Sequence, residues 1–405
     1  MTASESTASA TVGGAAAAPL VAGLTGRKLL FIVNVDWFFL SHRLPIALAA
    51  KAAGAEVIVA AAETGRRAAF ETAGIHFIPL ALSRQGRNPL REFRSVAAIA
   101  RLLHYSKPEF VHLVALKPVL YGNLAAMMVA RRVPRVNALS GLGFAFSADS
   151  RAQWLRHIVQ VLFRIVLRSG RSVTILQNKE DLAAFIRSGL LPEKRAALIR
   201  GSGVDLERFR ETPPPSNPVV MLAARMLWDK GVAEFVAAAR LLRAKRPGLR
   251  FVLAGGPDTG NPKTIPVVQL MAWVDEGIVE WWGHRTDMPS VLAQATIVVL
   301  PTYYPEGLPK VLLEAAAVGR PIVATDVPGC REFVVHDVNG LLVPPRDVPA
   351  LAGAILDLLR DPSRASRLAA AALRVVGEEF TEAIVVARTL EIYESLARQP
   401  PPEDH

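Results

Sequence analysis

The sequence has little cysteine and little charge. Cys330 is the only cysteine among 405 residues, which excludes a disulfide framework or a zinc site built on thiolates and suits a reducing compartment such as the cytoplasm. Charged residues make up 20% of the chain and hydrophobic residues 51%, a balance that excludes a disordered chain or a coiled coil. The length indicates two domains.

Neither a cationic leader nor a long uncharged stretch is present. No Lys or Arg precedes Arg27, so residues 1–26 lack the start of a secretory signal, and their small residues predict a disordered leader. No later window of about 18 residues is free of charge, which predicts that no transmembrane helix forms. Asp-x-Asp pairs and clusters of carboxylates are also missing, so we expect no metal and no other cofactor.

The charge that is present is unevenly placed. Residues 1–210 contain 28 Lys and Arg against 13 Asp and Glu, a net charge of +15. Residues 211–405 contain 19 against 23, a net charge of −4. We therefore expect an anionic partner for the first half: a phosphorylated substrate, a phospholipid surface or a nucleic acid.

Short apolar runs alternate with helical segments in two series. Residues 27–211 hold the first series, a Pro-rich linker covers 212–218, and residues 219–378 hold the second. A last helix with a tail, 379–405, has room to return to the first domain. Fully apolar strands between helices predict an α/β fold with two doubly wound Rossmann-like domains that face each other across a cleft. The predicted strands are Lys28–Val33, Glu56–Ala60, Phe110–Val114, Val136–Leu139, Ser172–Leu176, Val219–Ala223, Arg250–Ala254, Ile278–Trp281, Thr296–Leu300, Pro321–Thr325 and Leu341–Val343.

Two cations follow the first strand of the second series. Arg225 and Lys230 come directly after Val219–Ala223, on the loop and first helical turn at a carboxyl strand end. A guanidinium and an ammonium placed there are suited to phosphate oxygens. The alternative is a solvated loop that happens to carry two cations.

The segment 300–321 predicts an anion site flanked by carboxylates. A strand ends at Leu300 and a helix begins near Pro309, so the helix N-terminus opens into the cleft, where Gly307 lets the backbone approach a ligand. Glu306 precedes this helix and Glu314 lies inside it. Carboxylates beside an anion site indicate acceptors for sugar or ribose hydroxyls. The alternative is an acid that stabilises the helix start and a second acid on the surface.

Together these residues resemble the family-4 retaining glycosyltransferases of the GT-B fold. The resemblance extends from about Arg27 onward. It rests on Arg225-x4-Lys230-Gly231, on Glu306-x7-Glu314 within Pro-Glu-Gly-Leu-Pro, and on Gly203-Val-Asp205-Leu-Glu-Arg-Phe209.

The resemblance implies roles for the second-domain residues. Arg225 and Lys230 are expected to neutralise the leaving nucleoside diphosphate, Glu306 to bind hydroxyls of the donor sugar, and Glu314 to bind those of the ribose. The remaining implied contacts are backbone groups of Gly307, Leu308 and Pro309 along the diphosphate and sugar, and the loop with Gly283 and His284 at the base edge.

The first domain contains four short motifs: Asn34…His42-Arg43-Leu-Pro45, Lys117-Pro118-x2-Tyr121-Gly122, Gly141-Leu142-Gly143-x2-Phe146 and Gln177-Asn178. With these motifs it is similar to a subgroup that extends polyprenyl-diphosphate-linked sugars in bacterial surface-glycan assembly. His112, in Phe110–Val114, is placed at the cleft edge as a catalytic candidate, with a structural histidine as the alternative. Gly141-Leu-Gly143 lacks the third glycine of a dinucleotide fingerprint, which makes a dehydrogenase a weak interpretation. His42 and Arg43 also fit a capped surface turn. The expected acceptor or phosphate contacts are Gly141, Gly143, His42, Arg43 and Lys117.

Two basic segments are candidates for an anionic membrane surface. The run from Arg84 to Arg94 places Phe93 among Arg84, Arg87, Arg91 and Arg94, a pattern typical of lipid-headgroup contact. The segment 151–171 has arginines at four-residue spacing on an apolar helix, which fits an interfacial helix but is more typical of a helix packed on a sheet.

The resemblance therefore implies a retaining glycosyltransferase, which we expect at the inner face of the cell membrane, and the missing carboxylate clusters predict that it is metal-independent. It would move a hexose or N-acetylhexosamine from a nucleotide sugar, with a UDP-sugar favoured, to a polyprenyl-diphosphate-linked acceptor in capsule, O-antigen or exopolysaccharide synthesis. Two alternatives are a non-hydrolysing sugar-nucleotide epimerase, which shares the architecture, and a basic nucleic-acid-binding protein. No recognised nucleic-acid-binding motif is present, so we expect no nucleic acid among the partners.

Overall fold

The computed structural model describes residues 23–82, 89–141, 153–258, 260–304 and 306–399. These residues form two parallel β-sheets, and helices pack on both. The predicted α/β class with two doubly wound Rossmann-like domains is thus confirmed.

The first sheet has its central strands buried on both faces. Its strands follow the order β3-β2-β1-β4-β5-β6-β7, and every residue of β4 and β5 is buried. Such strands read as continuous apolar runs because helices cover both sides. The strands are β1 (Lys28–Val35), β2 (Glu56–Ala62), β3 (His76–Pro79), β4 (Phe110–Val114), β5 (Arg135–Leu139), β6 (Ser172–Leu176) and β7 (Ala196–Leu198). The helices are α1 (Asp36–His42), α2 (Leu44–Ala52), α3 (Arg67–Thr72), α4 (Pro89–Ser106), α5 (Leu116–Val129), α6 (Gln153–Arg168) and α7 (Lys179–Arg187).

The second sheet repeats this arrangement with the order β10-β9-β8-β11-β12-β13. In both sheets the strand order reverses beside the first strand, and ligands of doubly wound folds bind at the carboxyl strand ends of that point. The strands are β8 (Val219–Ala223), β9 (Arg250–Ala254), β10 (Glu280–Trp281), β11 (Ile297–Leu300), β12 (Ile322–Thr325) and β13 (Leu341–Val343). The helices are α8 (Val232–Arg243), α9 (Val267–Asp275), α10 (Met288–Ala293), α11 (Lys310–Ala317), α12 (Pro328–Arg331), α13 (Val348–Arg360), α14 (Pro362–Glu379) and α15 (Glu382–Arg398).

The last helix, α15, packs on the first domain. It contacts α2, and its buried face joins the apolar cluster on one side of the first sheet. The chain crosses between the domains twice at one place, where Val204 and Thr381 form a parallel bridge. The buried residues that α15 contributes are Val385, Leu390, Tyr393 and Leu396.

Two predicted boundaries are wrong. The leader was expected to reach residue 26, but Leu24 is fully buried in the core of the first domain, and residues 1–22 lie outside the described part. The first domain was expected to end at 211, but Val204 and Phe209 are buried in the core of the second. The Pro-rich run therefore does not link the two domains but follows the point where the chain crosses into the second. Arg320 of the second domain donates to the carbonyls of Thr212 and Pro213 at the start of this run.

The sequence prediction missed two short strands. The edge strand β3 is only partly buried, and so is β7, so neither shows a continuous apolar run. The strand predicted over Ile278–Trp281 is shorter, because only Glu280 and Trp281 pair with β9.

Candidate active site

The second-domain motifs converge at the carboxyl ends of β8 and β11. Lys230 lies in a 3-10 turn between β8 and α8, and Glu306 lies between β11 and α11. The Nζ atom of Lys230 is 2.6 Å from each carboxylate oxygen of Glu306. Both side chains are mostly buried, with 8% and 17% of their surfaces exposed. The predicted cation and the predicted sugar-binding carboxylate are thus direct partners.

Gly231 is required for this turn. Its φ is +74°, and a Cβ atom built on it would lie 2.0 Å from the carbonyl oxygen of Pro301. The backbones after β8 and β11 therefore approach each other too closely for any other residue. This contact holds Lys230 over the loop that carries Glu306.

Arg225 is held by a carboxylate that the sequence analysis missed. Its Nη1 atom donates to Oδ2 of Asp258 at 2.6 Å, and Asp258 is almost fully buried. The backbone N–H of Asp258 donates to Thr264, which fixes the loop after β9. On the facing domain, the ring of Trp37 lies 5.9 Å from the guanidinium of Arg225. The signal that pointed to Asp258 was the loop Gly255-Gly-Pro-Asp258 at a carboxyl strand end beside β8.

Glu314 lies on α11 in a partly buried position rather than on an open surface. Burial raises the pKa of its carboxyl, and the nearby cations Lys310 and Arg208 partly oppose that shift, whereas Glu382 adds to it. A desolvated carboxylate gains from hydroxyl groups that donate to it. The position thus provides an acceptor for hydroxyls within a largely dry environment.

The loop before α11 contacts the first domain. The N–H of Gly307 donates to the carbonyl of Ser140 at 3.0 Å, and a Cβ atom on Gly307 would lie 2.5 Å from Oε1 of Gln177. Leu308 is buried against Gly201, and Pro309 is buried and caps α11. In this conformation Gly307 therefore permits close approach of the two domains, and its N–H is not available to a phosphate.

The loop expected at the base edge lies beside the loop after β9. The carbonyl of Gly283 accepts from the N–H of Gly255 at 2.8 Å. A Cβ atom on Gly256 would lie 3.2 Å from Cβ of His284, so the two loops pack closely. Gly283 and His284 are thus brought to the same strand ends as Asp258.

The placement predicted for His112 at the cleft edge is wrong. His112 is the middle residue of β4 and is 1% exposed. Its ring stacks on Phe31 at 4.9 Å, and its Nδ1 atom is 2.5 Å from the hydroxyl of Tyr393 on α15. Burial and then Arg43 lower the pKa of His112 well below its usual value. It is a neutral core residue under the returning helix.

The structure also contradicts the acceptor contact expected for Arg43, whose side chain turns inward. Its side chain is 3% exposed and lies near Tyr393 and His112 rather than in the cleft. Burial lowers its pKa to about 10. The residue joins α1 to α2, and its side chain points into the first-domain core rather than into the cleft.

His42 lies beside the second-domain cations. Its ring stacks on Phe38 at 4.2 Å. Burial, followed by the charges of Lys310, Arg43 and Arg225, lowers the pKa of His42 to about 3. A neutral imidazole surrounded by cations marks a part of the site that attracts an anion.

The remaining acceptor candidates are spread over the first domain. Gly141 follows Ser140, with a φ of +122°, and so adjoins the loop that carries Gly307. Lys117, in the first turn of α5, donates to Glu92 at 3.0 Å. Gly143 lies outside the described residues.

Comparisons with known proteins agree with this geometry. The family model "Glycosyl transferase 4-like" matches residues 28–174, and the model "Glycosyl transferases group 1" matches residues 217–361. Together they cover more than two thirds of the chain.

Full-length relatives are found among curated proteins. The chain is 28% identical over 384 residues to the N,N'-diacetylbacillosaminyl-diphospho-undecaprenol alpha-1,3-N-acetylgalactosaminyltransferase of Campylobacter jejuni, covering 89% of this chain and 98% of the relative. It is 27% identical over 387 residues to the putative glycosyltransferase EpsD of Bacillus subtilis, covering 91% and 96%.

The fold matches solved structures as well. HepE of Anabaena, solved in complex with UDP and glucose, superposes with a TM-score of 0.72 at 22% identity, covering 91% of this chain and 100% of HepE. The matched models, the relatives and the shared two-domain architecture lead to one conclusion: the chain belongs to the glycosyltransferases of the GT-B fold.

Proposed function

We propose that the protein is a retaining glycosyltransferase that moves a hexose or N-acetylhexosamine from a nucleotide sugar, a UDP-sugar being favoured, to a polyprenyl-diphosphate-linked glycan acceptor. The observation that carries the proposal is the pair of cations at one sheet edge, each with its own carboxylate: Lys230 with Glu306 and Arg225 with Asp258. The name of the Campylobacter relative includes a diphospho-undecaprenol acceptor, and HepE was solved with UDP. Both support these substrates here. The biological setting is assembly of a capsule, O-antigen or exopolysaccharide.

The residues suggest how the leaving group is stabilised. As the bond from the sugar C1 to the diphosphate oxygen breaks, the electron pair leaves with the nucleoside diphosphate. Arg225 and Lys230 then stabilise the growing charge as fixed cations in a partly buried site. The acceptor hydroxyl forms the new bond to C1 on the same face, and its proton passes to the leaving diphosphate. Glu306 holds donor-sugar hydroxyls and Glu314 holds the ribose.

Metal independence is part of the proposal. The fixed cations Arg225 and Lys230 supply the positive charge that a divalent ion provides in other transferases. We expect transfer to continue in EDTA at the same rate. Loss of transfer in EDTA, restored by Mg²⁺ or Mn²⁺, would contradict this part.

The acceptor assignment includes a peripheral position on the inner face of the cell membrane. At the start of α4, Leu90 and Phe93 are each 70% exposed, and Arg91 and Arg94 beside them are exposed too. Arg84 and Arg87 of the same predicted run lie outside the described residues. Exposed apolar side chains between cations are suited to an anionic bilayer surface. Among the residues that the structure describes, no helix combines the length and hydropathy needed to cross a bilayer.

A second apolar stripe lies on α6. Ile158, Val161 and Ile165 share one side of this helix and are each about half exposed. The arginines Arg164 and Arg168 of the same helix donate to the carbonyls of Ser188 and Gly189 instead. We therefore assign the membrane contact first to the start of α4.

The direct test is a transfer assay. Purified protein is incubated with UDP- and GDP-linked hexoses and N-acetylhexosamines, each with and without a polyprenyl-diphosphate-linked acceptor, and lipid products are analysed for anomeric configuration. We expect acceptor-dependent transfer from a UDP-sugar with retention. An inverted product would contradict the retaining mechanism, and acceptor-independent change of the donor would revive the epimerase.

A further inference from the structure

Lys310 is a cation in the donor region, and none of the donor-binding or catalytic roles proposed above involves it. It is the first residue of α11, between Glu306 and Glu314 along the chain. Its Nζ atom donates to the carbonyl of Ser41, at the end of α1, at 2.8 Å. The same atom is 3.4 Å from Oε1 of Glu382, the first residue of α15, and the lysine side chain is 14% exposed.

Both partners of Lys310 belong to the opposite body of the protein. Ser41 lies in the first domain, and Glu382 begins the helix that packs on that domain. Lys310 itself lies on the second-domain helix that carries Glu314. Opening of the cleft would therefore break both contacts at once, whereas Glu306, in the loop before α11, pairs with Lys230 of its own domain.

Glu382 also lies at the crossing of the chain. Its N–H donates to the carbonyl of Val204 at 3.0 Å, next to the bridge between Val204 and Thr381. A Cβ atom on Gly203 would lie 2.7 Å from Cα of Glu382, so the two crossing segments are in tight contact. The ammonium of Lys310 is thus anchored close to the point about which the domains can rotate.

We propose that Lys310 is a positioning residue that joins the donor helix α11 to the first domain and couples occupation of the donor site to closure of the cleft. The inference rests on the proposed function, because it takes the nucleotide ribose to bind at Glu314. Lys310 does not contact the reacting atoms in this assignment.

The coupling follows from competition between two carboxylates for one ammonium. Lys310 acts electrostatically on both Glu314, four residues along the same helix, and Glu382. Ionised Glu314 competes with Glu382 for the ammonium and so weakens the contacts of Lys310 with Ser41 and Glu382. When ribose hydroxyls donate to Glu314, this competition falls and the contacts across the cleft strengthen. A ligand with different contacts in the two states shifts the equilibrium toward the closed one.

The experiment uses the full chain with Lys310→Met, which keeps the methylene packing and removes the charge. Lys310→Arg tests rescue by a cation, and Lys245→Met, at an exposed lysine after α8, is the matched control. Small-angle scattering with and without saturating UDP reports closure, calorimetry reports UDP affinity, and product analysis reports donor hydrolysis against transfer.

We expect Lys310→Met to bind UDP within a few-fold of the parent affinity but to show no compaction on binding. Its kcat should fall about tenfold, the loss typical of one charge-assisted hydrogen bond, with hydrolysis rising relative to transfer because water enters an open cleft. Lys310→Arg should recover part of the compaction. Glu382→Gln should act in the same direction and add little to Lys310→Met.

Compaction of Lys310→Met equal to that of the parent would overturn the inference. So would a large loss of UDP affinity with kcat unchanged, because Lys310 would then be a donor ligand. If the parent protein bound no nucleotide, the proposed function would fail. The role of Lys310 in joining the two domains would still be tested by scattering of the unliganded variants. A radius of gyration unchanged by Lys310→Met under those conditions would reject that role on its own.

Discussion

Lys230 and Glu306 form a mostly buried ion pair, with Nζ 2.6 Å from both carboxylate oxygens. Removing one partner of a buried pair leaves the other charge unpaired, which typically costs about 3–5 kcal/mol. Glu306→Leu should therefore lower the unfolding free energy by that order. The double variant Lys230→Met/Glu306→Leu should recover most of it, as measured by chemical denaturation.

Activity should behave differently from stability in this pair. Lys230→Met should lower kcat by about 10²-fold or more, as expected for loss of one preorganised charge stabiliser. The double variant should be no more active than the single ones despite its restored stability. Recovery of transfer together with stability would show that the pair is structural only.

Asp258 should act on catalysis through Arg225. Asp258→Asn keeps the size of the side chain but removes the charge that holds the guanidinium at 2.6 Å. We expect kcat/KM for the donor to fall about tenfold, in line with one weakened charge-assisted hydrogen bond. The exposed pair Arg250–Glu280 of the same domain supplies the control, Glu280→Gln, which should leave kinetics unchanged. Equal kinetics for both variants would remove Asp258 from the site.

Glu314 should make donor affinity depend on pH. Its raised pKa means that folding favours the protonated acid, so the ionised form costs stability at neutral pH, and that cost disappears as the pH falls through the folded pKa. Ribose hydroxyls need the ionised carboxylate as acceptor. UDP affinity should therefore weaken as the pH falls, with a midpoint above the ordinary glutamate value of 4.5.

Glu314→Gln is the matching variant. It should raise the melting temperature at pH 7 to 8, because no buried charge remains, while it weakens UDP binding and flattens its pH dependence. Calorimetry across pH 4.5 to 8 provides the measurement. An unchanged pH profile in this variant would assign the dependence to another group.

Substitution of His112 should affect stability and not donor kinetics. His112→Ala leaves the hydroxyl of Tyr393 without its partner in the core, a loss of about 1–3 kcal/mol. The KM for the donor should stay at the parent value. An increase in KM without a drop in melting temperature would indicate that His112 contacts the donor in the cleft.

The start of α4 should direct the protein to anionic vesicles. Arg91→Gln/Arg94→Gln should weaken binding to vesicles that contain phosphatidylglycerol by roughly fivefold per charge at low salt, since each cation near the surface contributes about 1 kcal/mol. Leu90→Ser/Phe93→Ser should weaken binding at all salt concentrations, with UDP affinity unchanged. Arg240→Gln/Arg243→Gln on α8 is the control. Equal binding to neutral and anionic vesicles would favour a soluble acceptor.

Sequence spacing predicted where Arg225, Lys230 and Glu306 lie, because each of them stands in the segment between a strand and the next helix. Lys230 and Glu306 are 76 residues apart, yet parallel topology brings both strand ends to one edge. Trp37 was missed because it contacts Arg225 from the facing domain, which no local pattern marks. Asp258 was missed although its Gly-Gly-Pro-Asp loop follows a strand, because its contact with Arg225 joins two loops that are 33 residues apart. His112 was misplaced for a similar reason, since the helix that buries it begins far along the chain, with Tyr393 281 residues away.

The return of α15 has a consequence for the order in which this protein can fold. Val385, Leu390, Tyr393 and Leu396 complete the core around β1 and β4, although those strands are synthesised more than 250 residues earlier. While the chain emerges from the ribosome, the first domain must wait with one apolar face uncovered until the second domain has been made. The second-domain core also needs residues as late as Phe380, just before α15 begins. The two cores are therefore completed at nearly the same stage of synthesis, and the first domain does not finish ahead of the second as the usual N-terminal-first order would have it.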